Sequence, residues 1–472
     1  MSSLKRIFGN AFYYGVIPKI PQVINVLLMP FITPFLTLDD YGIWGIVSSY
    51  SAFFLAIAPL GLHVHLPNYY FEVRKWKIYW NHIFYLFLVS GVIASALYIC
   101  FMLAELSYVS VYKRLLIGVA SCFPILLFGT SSISSQLYPL LEKPLPLVLR
   151  NVVASLSAIA VSTIVIIFLR LGYWGWILGS STSAIVSFIL FYHTLYKNEG
   201  IYPQQERNLS RIKRWLKISA PVIPHTVGFM LLNSSSRIIM TFYEIPLADI
   251  GIFSNGYFMG DYITVVSIAL VTALSPQMQL SYREKRWEDM RHIYYLSQLV
   301  ALICVFLVSM WMPEIYKIIM RNESLHSAAP VASMICYANV LMPFYQFLSL
   351  PVFINKNTVQ LLWLVFLPGV LNVVLCLAFL PIYGYWAAVI STLISFWSLL
   401  LVPLISKYHK AQIKVWLGNK IKIAAIFLIL LSSLLLSNLL AGIDWLYKLP
   451  VTVILMAGFY LLIRLKPQLK RF

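Results

Sequence analysis

Negative charge is the scarcest property of this sequence. Only 16 of its 472 residues are Asp or Glu, and all charged residues together make up 11%, against about 25% in an ordinary soluble domain. That shortage, set beside 60% hydrophobic residues and a mean hydropathy of +0.82, excludes a water-soluble globular protein. Cysteine is also rare. Cys100, Cys122, Cys304, Cys336 and Cys376 all lie in apolar runs with no C-x-x-C pair, so they read as small core residues, neither disulfides nor metal ligands. Catalytic signatures are missing as well. The sequence holds no G-x-x-x-x-G-K-[ST], H-E-x-x-H or G-x-S-x-G, which excludes P-loop hydrolysis of nucleotide and leaves a membrane hydrolase without support. No loop reaches the size of a domain, the longest running from about Tyr196 to Lys217, so any chemistry sits within the membrane or at its surfaces.

What the chain has in quantity is long apolar runs. About fourteen reach the roughly 20 residues that span a bilayer, the first near 11–36, the second near 41–65, the seventh near 217–243, the eighth near 248–275 and the last near 446–464. The expected fold class is therefore an all-α polytopic membrane protein of about fourteen transmembrane helices. The basic start, M-S-S-L-K-R, resembles a signal peptide, but the apolar run after it is too long and lacks a small-residue cleavage site, so it reads as an uncleaved first span. Of the 35 Lys and Arg residues, 27 fall on the side of the amino terminus, while Lys113, Arg114, Arg170, Lys317, Arg321 and Lys448 lie opposite and Lys19 and Arg237 lie within spans. By the positive-inside rule both termini are cytoplasmic. The net charge of +19 follows from the same bias toward anionic lipid, so nucleic acid is not an expected partner.

Short motifs recur at a slowly rising offset. Pro18-Lys19-Ile20-Pro21 matches Pro221-Val222-Ile223-Pro224, Asp40-Tyr41-Gly42-Ile43-Trp44 matches Asp249-Ile250-Gly251-Ile252-Phe253, Gly172-Tyr173-Trp174 matches Gly384-Tyr385-Trp386, and Lys143 matches Lys356. Each pair joins equivalent spans, which predicts two parallel six-helix repeats forming two bundles around a central cavity. The expected organisation is an amino-terminal bundle over 1–196, a cytoplasmic linker over 197–216, a second bundle over 217–406, and two further helices with a cytoplasmic tail over 407–472.

Spans one and seven then become symmetry mates, and their polar residues are the candidates for a substrate site. In span seven Thr226, Met230, Asn233, Arg237 and Thr241 recur at helical spacing, while in span one Lys19 and Gln22 share a face with Asn25 adjacent. A cation deep in a bilayer costs roughly 2.5 to 3.5 kcal/mol on insertion scales, so Arg237 is expected to face protein or a water-filled cavity. The predicted substrate-binding set is Lys19, Gln22, Asn25, Asn233 and Arg237, lining a cationic cavity for an anionic cargo. Bland readings stand beside each: Lys19 and Arg237 as snorkelling cations, or Arg237 paired with Glu244 or Asp261. Pro18, Pro21, Pro221 and Pro224 each remove a helical hydrogen bond and are candidate hinges for alternating access. Asp261 and His225 are the coupling candidates, with a structural ion pair, an aqueous exposure, or a satisfied core histidine as alternatives. His63 and His65 form a weak H-x-H metal signal that interfacial placement explains equally well. Trp76, Tyr79, Trp80, Trp174 and Trp176 read as interfacial belts, with sugar stacking as the sharper alternative. No cofactor and no metal are expected, and energy would come from an ion gradient, the membrane potential or consumption of product.

At Asp39-Asp40-Tyr41-Gly42-Ile43-Trp44, Gly61-Leu62, Pro221-Val222-Ile223-Pro224 and Asp249-Ile250-Gly251-Ile252-Phe253 the chain resembles Wzx-type polysaccharide and O-antigen flippases of the multidrug, oligosaccharidyl-lipid and polysaccharide exporter superfamily. The resemblance implies a non-enzymatic flippase of the bacterial inner membrane that moves an undecaprenyl-pyrophosphate-linked oligosaccharide, an O-antigen or similar repeat unit, from the cytoplasmic to the periplasmic leaflet. It also implies membrane lipid, a polysaccharide polymerase and a chain-length regulator as partners. One departure stands out: that family often carries an Asp-Arg pair in span seven, where this chain has Ser236-Arg237. The alternatives are an ion-coupled drug antiporter of the same superfamily, whose cavity should favour acids, and a non-transport scaffold of a polysaccharide assembly complex.

Overall fold

The computed structural model describes residues 17–355, 359–401 and 420–465, and all regular structure among them is helical. In chain order the helices are α1 (Ile20–Ile32), α2 (Leu38–Ile57), α3 (His65–Glu72), α4 (Trp76–Glu105), α5 (Val111–Ser121), α6 (Phe123–Leu126), α7 (Phe128–Leu140), α8 (Pro144–Ile167) and α9 (Trp174–Thr194). Then come α10 (Leu209–Ser219), α11 (Ile223–Phe242), α12 (Leu247–Asp261), α13 (Thr264–Arg283), α14 (Trp287–Met310), α15 (Met312–Ile319) and α16 (Ala329–Asn339). The last are α17 (Met342–Ile354), α18 (Val359–Tyr383), α19 (Tyr385–Trp397), α20 (Lys420–Ala441) and α21 (Trp445–Leu465).

Eight helices among the described residues are long and apolar enough to cross a membrane, or ten if two bent pairs are each one span. Shorter apolar helices at Tyr385–Leu400, Ala425–Ala441 and Trp445–Phe459 fall on the last three of the fourteen expected segments. The chain is a multi-pass membrane protein. The start of the first expected span, the end of the twelfth, Lys356 and the tail lie outside the described residues. The apolar surface follows from the solvent: Leu27, Phe31, Val92, Ile93, Leu97 and Ile164 are exposed, as expected where lipid rather than water surrounds the bundle.

Local chemistry sets where the spans begin. Thr37 and Asp40 form a reciprocal capping box at the start of α2: the Asp40 N–H donates to Thr37 Oγ1 (3.2 Å) and the Thr37 N–H to Asp40 Oδ2 (2.8 Å), satisfying donors that a helix start leaves open. The second Asp40 oxygen accepts the Tyr173 N–H (2.9 Å) at the head of α9. The two proline motifs behave alike. Ile17–Lys19 and Ala220–Val222 are each a single 3-10 turn that passes into α1 or α11 at the next residue, with proline in the first helical turn, the position where its missing N–H costs least. The two G-Y-W motifs also match in geometry: Gly172 and Gly384 have φ of +53° and +57°, and the ring centroids of Tyr173–Trp174 and Tyr385–Trp386 stand 5.7 and 5.4 Å apart at 29° and 30°.

The segment expected as a linker over 197–216 is firmly attached. Asn81 and His82 at the start of α4 bind its backbone: Tyr202 N–H donates to Asn81 Oδ1 (3.1 Å), Gln204 N–H to the Asn81 carbonyl (3.1 Å), and His82 Nδ1 pairs with the Gln204 carbonyl (3.0 Å). Asn208 then caps α10 through the Arg211 N–H (3.1 Å), and one helical rod runs from Leu209 through Phe242. The seventh span therefore starts about two turns before the expected residue 217, because basic Arg211, Lys213, Arg214 and Lys217 do not prevent a helix from forming, only from being apolar.

At the opposite end the carboxyl-terminal helices are pinned by a buried ion pair. Lys448 Nζ, fully buried, donates to both Glu314 oxygens (2.7 and 2.8 Å) and to the Ala441 carbonyl (3.0 Å), tying α21 to α15 and capping α20. Trp311 Nε1 donates to Thr452 Oγ1 (3.0 Å) beside it.

Candidate functional site, a seam and a hydroxyl-lined cavity

The polar stripe of α11 lies against α2. Thr226 Oγ1 donates to the Ala56 carbonyl (3.1 Å), and Arg237 Nη1 reaches Ser49 Oγ (3.5 Å) and the Asn233 carbonyl (3.3 Å). Arg237 Nε donates to Ser254 Oγ on α12 (3.2 Å). Three rings of α12 surround the guanidinium, with its carbon 4.3 Å from the Tyr257 centroid, 5.0 Å from Phe258 and 5.4 Å from Phe253. Arg237 is only 3% exposed, and its Nη2 has no hydrogen-bond partner. Cation–π contacts are worth about 2 kcal/mol or more when desolvated, which offsets part of the cost of burying the ion, but one donor stays unspent.

Helices α2 and α12 approach closely here because glycine permits it. A Cβ on Gly42 would stand 2.5 Å from the Leu247 carbonyl oxygen, and one on Gly251 would strike the Leu38 backbone. The D-Y-G-I-W and D-I-G-I-F motifs are thus the contact surface of α2 on α12. Of their aspartates, Asp40 binds the head of α9.

A cavity of about 770 Å³ opens beside this seam, walled by α1, α2, α6 to α9, α12 and α13. Gln22 and Asn25 line it, as does Asp261. Asn25 Nδ2 donates to Tyr262 Oη (3.0 Å), and Asn339 Nδ2 donates to Asp261 Oδ1 (3.3 Å). Asp261 forms no ion pair among the described residues. Phe258 is shared by the cavity wall and the arginine cage.

Set against the sequence expectations, the cationic cavity needs correction. Among the described lining residues there is no Lys or Arg and one carboxylate, Asp261. Arg237 is in the seam because α2 covers the stripe that faces it, and Lys19 is half-buried in the turn before α1, outside the lining. Asn233 serves the cage instead of the cavity, its Oδ1 accepting from Tyr257 Oη (2.8 Å) and its Nδ2 donating to the Phe229 carbonyl (2.7 Å). His225 packs edge-on against Phe229 at 5.4 Å and is absent from the cavity wall. Ser236, which stands where the resembled family often has Asp, faces away from the cage: it accepts from Asn372 Nδ2 (3.2 Å) and meets Thr392 Oγ1 (3.4 Å). Of the four candidate hinge prolines, Pro21 is the one in the described cavity lining.

Trp176 lines the cavity, which corrects its placement in an interfacial belt. Sequence reasoning missed Trp44 and the serine faces of α8 and α9. Their signal was helical spacing, Ser155 and Ser162 on one helix and Ser180, Ser183 and Ser187 on the other. His65 Nε2 pairs with the Trp215 carbonyl (3.1 Å) and stacks on Tyr69 at 5.9 Å, so its use is to hold α10. Nearby, Glu206 accepts the Asn208 N–H (2.9 Å) and an Arg211 donor (2.6 Å). Burial alone pushes its carboxyl up, but those bonds and the charges of His82 and Arg211 outweigh it and hold the group below the ordinary glutamate range.

A family model described as polysaccharide biosynthesis protein matches residues 7–281, more than half of the chain. No curated protein matches. Among solved structures, a lipid II flippase, MurJ, in an inward closed conformation shares 13% identity with a TM-score of 0.67, covering 94% of this chain and 99% of its own. An inward-facing multidrug resistance MATE family transporter of the MOP superfamily shares 12% at a TM-score of 0.52, covering 90% and 96%. A MOP superfamily transporter from Pyrococcus furiosus, titled for the reverse polarity of its binding pocket, shares 14% at 0.54, covering 89% and 96%. The fold is that of these transporters, as the motif resemblance led us to expect.

Proposed function

We propose, from a chain that belongs to the polysaccharide biosynthesis protein family, that it is a flippase translocating a polyprenyl-pyrophosphate-linked oligosaccharide, an O-antigen or similar repeat unit, across the bacterial inner membrane. The observation that carries this reading is Arg237: a cation buried at the seam of the two halves, one wall away from the cavity, with an Nη2 donor unspent. An arginine fork matches phosphate. When α2 and α12 part, that fork faces the space the cargo has entered, whereas in the closed seam it is hidden. Lys19 stands near the other end of the path, at the turn before α1. The fold shared with a lipid II flippase fits a lipid-linked cargo.

Both termini are cytoplasmic in this reading, which puts the α2–α12 seam at the periplasmic end and the α10 strap at the cytoplasmic end. The matched 3-10 turns and G-Y-W geometries support two duplicated bundles, 1–196 and 217–406, with two appended helices, and Pro18, Pro21, Pro221 and Pro224 as pivots. Of the coupling candidates we retain Asp261, because it stands in the cavity wall. That same carboxylate favours a second reading, a cation-exporting antiporter. Cells lacking the protein separate the two: lipid-linked oligosaccharide confined to the cytoplasmic leaflet with unchanged drug resistance supports the flippase, whereas normal polysaccharide with raised drug sensitivity supports the antiporter.

A further inference from the structure

We infer that the cavity is a glycan subsite selective for uncharged sugars, built from an aromatic wall of Trp44 and Trp176 together with the serine stripes of α8 and α9. The inference rests on the flippase reading and names which part of the cargo this cavity holds.

The aromatic wall comes first. Trp44 and Trp176 stand 6.2 Å apart at 32° and Trp176 lies 4.8 Å from Tyr41 at 57°. Both tryptophans line the cavity and are half-buried, so part of each indole is anchored by its neighbours while part faces open space. An indole face is apolar and electron-rich, which suits the C–H face of a sugar ring. The geometry is held from below: α2 fixes Trp44 through the capping box at its start, and the Asp40 bond to the Tyr173 N–H fixes α9 three residues before Trp176.

The hydroxyl wall is complementary. Ser162 Oγ donates to the Gly175 carbonyl (2.9 Å) and Ser180 Oγ to the Ile177 carbonyl (2.8 Å), so each keeps lone pairs as acceptors. Ser155, Ser183 and Ser187 line the same cavity with no hydrogen bond recorded among the described residues, leaving both donor and acceptor capacity. A sugar hydroxyl is itself donor and acceptor, so it satisfies such a wall from any side. A polyprenyl tail or an aromatic drug would leave these groups unpaired at a cost. The volume of about 770 Å³ lies within the roughly 300–1,000 Å³ of small-ligand sites.

Charge then sets the selectivity. Asp261 is the one ionisable acid or base among the described lining residues other than tyrosine, and it faces the space without an ion-pair partner. A uronic acid placed there is set against the Asp261 carboxylate at short range, whereas a neutral or amino sugar is not.

The test uses the full-length protein in nanodiscs and three fluorescent polyprenyl diphosphates: one with a neutral oligosaccharide, one with the same oligosaccharide carrying a uronic acid, and one without sugar. Binding is read by anisotropy. Trp176→Ala and Trp44→Ala should each weaken the neutral-glycan lipid by about tenfold while the sugar-free lipid stays within about twofold. Trp176→Phe, which keeps a ring, should recover most of the loss. The unaltered protein should bind the uronic lipid at least about tenfold more weakly than the neutral one, and Asp261→Asn should narrow that gap. Equal loss on the glycosylated and sugar-free lipids, or no discrimination between neutral and acidic glycans, overturns the subsite and leaves the flippase standing. Failure of the unaltered protein to bind any of the three overturns the flippase reading, and the subsite with it. If the alanine variants do not fold, Trp176→Phe and the neutral-to-acidic ratio of the unaltered protein decide the matter.

Discussion

Replacing Gly251 by alanine tests whether the α2–α12 seam is a gate. A Cβ at this position stands 2.6 Å from the Leu38 carbonyl carbon and closer still to its oxygen. The obstacle is backbone, so no rotamer change relieves it, and the helices must separate by about 1.5 Å to reach an ordinary contact distance. Overpacking of this kind costs about 1–3 kcal/mol. The cost falls only on the state in which the seam is closed, so the ratio of open to closed rises by about 5- to 150-fold. The readout is Ser254→Cys, a fully buried position on the arginine cage, in a background whose five native cysteines are replaced. Its labelling by a membrane-impermeant thiol reagent should accelerate at least about fivefold when Gly251→Ala is added, while Ser281→Cys, equally buried elsewhere, keeps its rate. An unchanged rate at position 254 would refute the argument, since the seam would then be a fixed structural joint.

Arg237→Ala should abolish or strongly reduce translocation with membrane abundance roughly intact, and Arg237→Lys should be only partly tolerated, because an ammonium keeps the charge and loses the planar fork; export assays with quantitative blotting check both. Lys448→Met leaves Glu314 uncompensated and should cost about 3–5 kcal/mol, read as a lowered Tm in detergent, and the double variant Lys448→Met with Glu314→Met should recover much of it; full stability of the single variant contradicts the packing described for α21. For Glu206 the sign is set by a folded pKa held below the ordinary 4.5: its stabilisation is complete above that value and lost as pH falls through the depressed folded value. Limited proteolysis at Arg207 should therefore rise in acid, and Glu206→Gln should be cleaved faster at pH 7 with little further change on acidification.

The helices were legible because lipid demands long apolar runs whatever their partners. The two G-Y-W motifs stand out in sequence because their glycines share a positive φ that other residues adopt only with strain. The direction of a polar stripe was not legible. A period near 3.6 says that Thr226, Asn233 and Arg237 share a face of α11, but not whether that face meets water or α2, and the answer depends on Gly42 and Gly251, more than 200 residues apart. The serine faces of α8 and α9 escaped notice because a serine that donates to its own helix is an ordinary feature of apolar spans. Trp176 was misplaced because an indole near a helix start looks the same in sequence whether it meets headgroups or a cavity. The segment 197–216 was read as a linker because it lies between two apolar runs, while Asn81, His82 and Asn208, which hold it, are distant or inconspicuous.

The most direct measurement reconstitutes the purified protein in vesicles with a polyprenyl-diphosphate oligosaccharide in one leaflet and follows its appearance in the other with a membrane-impermeant lectin. The account predicts protein-dependent transfer that Arg237→Ala removes. Transfer at the protein-free rate, or transfer unaffected by that substitution, would contradict it.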